Sequence, residues 1–148
     1  MTVLFAFLHH VAAFTLVAAV AIEFVLLRGE LTLWAARRLQ VTDAVLGIAA
    51  TILLAVGLAR VFWFEKGAAY YFHNHAFLTK LSLFIIVALL SIVPTLEFLS
   101  WRRATKAGQA PAEAAPKLKR ARMILHIELA AIVLILLCAA IMAKGGWV

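Results

Sequence analysis

Four of the five histidines of the chain fall into two short groups, His9-His10 and His73-Asn74-His75. Imidazole is the commonest protein ligand of transition metals and a standard axial ligand of heme iron, so these groups come first as candidates for metal or redox chemistry. Two cations, Arg60 and Lys80, interrupt otherwise apolar stretches and could neutralise the acidic groups of a bound ligand. A second set is acidic: Glu23, Glu97 and Glu128, with His126 beside the last. Carboxylates in apolar surroundings serve ion pairs, proton relays or metal sites. His126 and Glu128 stand two residues apart, about 200° around a helix, which argues against a single ion held by both. Cys138 is the only cysteine. No intrachain disulfide or cysteine-based metal site follows from it, and it reads as a small apolar core residue.

These residues must be positioned by membrane helices. The 148 residues are 66% hydrophobic and 14% charged, with a mean hydropathy of +1.05, which excludes a soluble enzyme, a secreted disulfide scaffold and a nucleic-acid reader. Apolar runs at about 3–27, 44–64, 76–100 and 123–143 each suffice to cross a bilayer, which needs about 20 residues. They predict one all-α domain over 1–148, an up-down-up-down four-helix transmembrane bundle. The first run carries His9, His10 and Glu23 and lacks a basic start, so it reads as a retained helix rather than a cleaved leader. Connections 28–43 and 101–122 then share one side and hold ten of the fourteen lysines and arginines. By the positive-inside rule that side is cytoplasmic, with both termini periplasmic. The net charge of +7 is therefore topogenic and calls for no nucleic-acid partner. Trp63 and Trp147 on the outer side, and Trp34 and Trp101 on the inner, are expected as interfacial anchors. The Gly- and Pro-containing stretch 104–116 reads as a flexible linker.

In this frame the candidates form two layers. With a rise of about 1.5 Å per residue, His10 lies about 10 Å and Lys80 about 6 Å inside the outer ends of their helices. His9, Arg60, His73 and His75 belong to the same outer zone. The three glutamates lie four or five residues from the cytoplasmic boundary, where Arg28, Arg102, Arg103 and Arg122 are expected to neutralise them. His9 and His10 occupy different helix faces, so only one of them should reach a buried cofactor squarely. Ala12, Ala13, Ala18, Ala19 and Ala21 on helix one, with Gly47 and Gly57 on helix two, permit close approach by another helix or a flat macrocycle. On helix three, Lys80, Val87, Ser91 and Pro94 form a stripe, and Ser91 or Thr95 is expected to satisfy the carbonyl freed by the proline. Glu23-Phe24 and Glu97-Phe98, each followed by an arginine, end helices one and three alike, which leaves a duplicated helix pair open.

Across all four helices the chain resembles the membrane families grouped around CopD and the HemJ-type protoporphyrinogen oxidases. The resemblance rests on His10 early in helix one, Arg37-Arg38-Leu39 before helix two, Leu78-Thr79-Lys80-Leu81-Ser82-Leu83 opening helix three, and Arg122, Glu128 and Lys144 in helix four. Ile127 stands where the HemJ-type pattern has asparagine, and the tryptophan, glycine and arginine of that pattern's first helix have no counterpart here. The resemblance implies a heme b site with His10 as axial ligand and with Lys80 and Glu128 as catalytic candidates, and in such a site Arg60 or Lys80, near the outer interface, would be the cofactor-binding cation that neutralises the propionates. It also implies a homodimer in the bacterial inner membrane and a porphyrin substrate or a redox partner, with electron transfer as the natural chemistry. The main alternative is copper handling on the outer face by His9, His10, His73 and His75, since imidazole serves copper well. A cofactorless structural subunit of a larger membrane complex is the third reading, and ion transport ranks last.

Overall fold

The computed structural model describes residues 2–64, 66–112 and 115–145. Trp147 and the C-terminal residue, to which two of the expectations above refer, lie outside them. Helix α1 spans Thr2–Arg28, α2 Leu33–Ala59, α3 Ala68–Phe72, α4 His75–Ser100, α5 Arg102–Lys106 and α6 Ala115–Ala143. The described residues contain no strand. Four segments, Val3–Arg28, Leu33–Phe64, His75–Lys106 and Ala115–Ala143, are long and apolar enough to cross a membrane. The chain is thus an all-helical bundle of four membrane-length helices.

Each long helix begins or ends on recognisable local chemistry. Arg28 in the last turn of α1 complements the negative end of the helix dipole. Thr32 caps α2 by accepting a hydrogen bond from the Ala35 amide at 3.1 Å, and Asn74 caps α4 in the same way through Phe77, at 3.2 Å. Gly108, with φ of +73°, lets the chain leave α5 in a left-handed conformation that side chains resist. Pro116 falls in the first turn of α6, where its missing amide costs nothing.

Two of the helices are longer than their apolar runs. Helix α2 starts at Leu33 rather than near 44, and α6 at Ala115 rather than near 123. The apolar run measures only the part suited to hydrocarbon, whereas Ala, Leu, Arg and Lys in the preceding turns are strong helix formers. The connection between α1 and α2 therefore shrinks to four residues, and the expected linker at 104–116 begins inside α5.

The helices pack around a square in the order α1, α2, α4, α6. The hairpin pairs α1–α2 and α4–α6 make the most extensive contacts, α1–α6 fewer, and α2–α4 the fewest of the four sides. The main core includes Leu16, Val20 and Leu27 of α1, Leu39 and Leu46 of α2, Phe98 of α4 and Leu125 of α6. Cys138 is buried, as expected. Trp101 departs from its expected role: it is buried against Phe98 in this core, at the junction of α4 and α5, whereas Trp34 is exposed. At the same end Arg37 donates to the Thr105 carbonyl at 3.0 Å and Gln40 to the Phe98 carbonyl at 2.9 Å, tying α2 to α4 and α5.

Candidate functional site

At the opposite end, where α1 begins and α2 finishes, the bundle encloses a cavity of about 520 Å³, within the range of small-molecule sites. His9 and His10 reach it from α1, Arg60 from the end of α2, and Asn74 and Lys80 from α4, over an apolar floor that includes Phe84 and Ile135. The sequence-derived set His10, Arg60 and Lys80 therefore shares one cavity. Residues Arg60–Phe64 continue α2 as a π-helical turn, a widened turn that often marks functional sites. Beyond it Lys66 lies over the ring of Tyr70, and both line the cavity.

Gly57 is what lets α1 come close here, since a Cβ at that position would lie 3.2 Å from Cε1 of His9. Gly47 opens on empty space instead and needs no small residue for packing. His10 is exposed at the cavity mouth, and its Nδ1 donates to the Ala6 carbonyl at 2.7 Å. A carbonyl can only accept, so Nδ1 carries a proton, and in the neutral ring the lone pair a metal would use lies on Nε2. Asn74 is 2% exposed. Its Oδ1 is engaged in capping α4 while its Nδ2 donor has no hydrogen-bond partner.

His73 and His75 do not join this set. Both are exposed, neither lines the cavity, and Nδ1 of His73 is bonded to the Ala69 carbonyl. Among the described residues no three His, Cys, Asp or Glu side chains are arranged to hold a metal ion. Lys80 and Glu128 are likewise apart: Glu128 accepts a hydrogen bond from Ser91, eleven residues and about 16 Å along α4 from Lys80. They cannot act together on one reacting atom.

The inner acidic layer differs from the expected set of arginine pairs. Among the described residues, Glu97 is the one of the three glutamates bound by an arginine, and that is Arg120. Arg122 donates to the Leu27 carbonyl, and Arg28 lies over the Phe24 ring. Ser91 and Thr95, expected to serve the backbone near Pro94, donate instead to carboxylates: Ser91 to Glu128, and Thr95 to Asp43 at 2.7 Å. Asp43 was missed because it precedes the apolar run. The signal was present in Ala36, Leu39, Asp43 and Leu46, which recur at helical spacing on one buried face. Asp43, Ser91 and Thr95 line a second cavity of about 290 Å³, which shares Phe84 and Ile135 with the first.

A family model described as DUF2214, predicted membrane protein, matches residues 1–146. The chain belongs to the DUF2214 family. No curated protein and no solved structure matches it. The DUF2214 match spans both cavities and all four long helices.

Proposed function

We propose that this DUF2214 protein is a heme b-binding redox protein of the bacterial inner membrane, similar in its site to the HemJ-type proteins it resembles. The observation that carries the reading is the convergence of His10, Arg60 and Lys80 on one cavity of about 520 Å³. The fit is supported by chemistry independent of the resemblance. The walls are largely apolar, as a macrocycle requires, while Arg60, Lys80 and the unpartnered Nδ2 of Asn74 offer donors for carboxylate groups. His10 would hold the iron through Nε2, and Arg60 and Lys80 would hold the propionates.

A bound heme supplies one-electron chemistry, and the protein contributes orientation, charge and exclusion of water. Electron transfer is the minimal activity; oxidation of a porphyrin substrate is the finer version, with Lys80 beside the ligand and Glu128 too distant to touch it. A heme needs one protein nitrogen where a histidine copper site needs several, and the separation of His73 and His75 from the cavity favours heme. The positive-inside rule adds extracytoplasmic termini, placing this cavity in the outer half of the membrane.

The test is an absorption spectrum of the purified protein from heme-replete cells, oxidised and dithionite-reduced. A Soret band with reduced α and β bands, lost in His10→Ala and retained in His9→Ala, is the expected result. A colourless wild-type protein would overturn the reading. Elemental analysis of that sample then separates copper handling from a cofactorless subunit.

A further inference from the structure

Three carboxylates from three helices meet in the inner half of the bundle: Glu23 of α1, Asp43 of α2 and Glu128 of α6. Glu23 and Glu128 are completely buried and Asp43 is 8% exposed. Ser91 and Thr95, one turn apart on α4, hold Glu128 and Asp43 next to each other, and Glu23 interacts electrostatically with both. Neither oxygen of Glu23 has a hydrogen-bond partner, nor does Oε2 of Glu128.

The surrounding charged groups are engaged elsewhere. On α4, Glu97 is held by Arg120 of α6. On α6, Arg122 is bonded to the Leu27 carbonyl, and His126 is exposed, with Nδ1 on the Arg122 carbonyl and its ring against Phe24. On α1, Arg28 covers the Phe24 ring, and on α2, Arg37 donates to the Thr105 carbonyl. Neither Glu23 oxygen accepts a hydrogen bond from any of them. The hydroxyls of Ser91 and Thr95 have one proton each, given to Glu128 and Asp43. They leave the remaining oxygens unserved.

An ionised carboxylate inside a protein needs a cation or several donors, and neighbouring carboxylates repel one another. A proton removes both difficulties, because it cancels the charge and turns an acceptor oxygen into a donor. The walls of the adjoining cavity of about 290 Å³ are mostly apolar, and Asp43, Ser91 and Thr95 are the polar side chains that water entering it would meet.

We propose that Glu23, Asp43 and Glu128 form a proton-holding site that exchanges protons with water in the inner cavity. Each transfer breaks one O–H bond on the donor and forms one on the acceptor, with no change in oxidation state. The site lies apart from the outer cavity and does not depend on what that cavity binds. Phe84 and Ile135 line both cavities.

Infrared spectroscopy tests this on the whole protein, purified in a detergent free of ester groups. At neutral pH the wild type is expected to show the C=O stretch of a protonated carboxyl group, distinct from the ionised carboxylate bands. That band shifts to lower frequency in D2O and loses intensity in Glu23→Gln and Glu128→Gln. A wild type without the band overturns the proposal, and no folding defect of a variant can imitate that outcome. A band that does not move in D2O, or one kept at full intensity in Glu23→Gln, Asp43→Asn and Glu128→Gln alike, overturns it as well.

Discussion

At the level of single residues, two glycines of α2 that look equivalent in the sequence have opposite roles. Gly57 admits the His9 ring, whereas Gly47 opens on the inner cavity. Alanine favours a helix over glycine by about 1 kcal/mol, and forcing a side chain into a filled site costs about 1–3 kcal/mol. Gly47→Ala is therefore expected to leave the thermal unfolding midpoint equal or raised, and Gly57→Ala to lower it and alter any visible spectrum of the outer site. Equal midpoints would show that His9 moves aside without cost. The histidines and cations of the outer cavity were legible because charge and imidazole stand out in apolar runs. Asp43 was not, because it lies at the polar end of its helix, and the partners of Ser91 and Thr95 depend on which helix faces them across the bundle.

Among the elements, α4 borders both cavities, with its cap Asn74 and Lys80 at one end and Ser91 and Thr95 further along the same helix. Asn74, a lining residue of the outer cavity, has two polar atoms that substitution can separate: Oδ1 caps the helix, and Nδ2 is buried without a hydrogen-bond partner. Asn74→Ala removes both and is expected to cost about 1 kcal/mol through the cap. Asn74→Asp keeps the capping oxygen but replaces the donor with a carboxylate oxygen. Thermal unfolding should therefore separate the two variants, while heme content per protein falls in both. Full heme content in Asn74→Asp would remove Nδ2 from the site. The existence and order of the four long helices were readable from apolar length alone. The early starts of α2 and α6 were not, since hydrophobicity reports where lipid begins while backbone hydrogen bonding decides where a helix does. The π-helical turn at Arg60–Phe64 has no such signal either.

For the molecule as a whole, the asymmetry of basic residues predicts which side is which. A reporter inserted within 107–112 is expected to be active only in the cytoplasm, and one fused after Val148 only outside it. The reverse pattern would invert the frame and place the carboxylate cluster in the outer half. Within that frame the bundle is two hairpins, α1–α2 and α4–α6, each closely packed internally and meeting most sparsely along α2 and α4. Both cavities are bounded by residues from the two hairpins. Helices in a bilayer can insert first and associate afterwards, so the first hairpin can close before the second has been made. Neither cavity exists until the hairpins meet. The site is thus the product of the last step of assembly, and a ligand that bridges the hairpins would also act as the clasp that keeps them together.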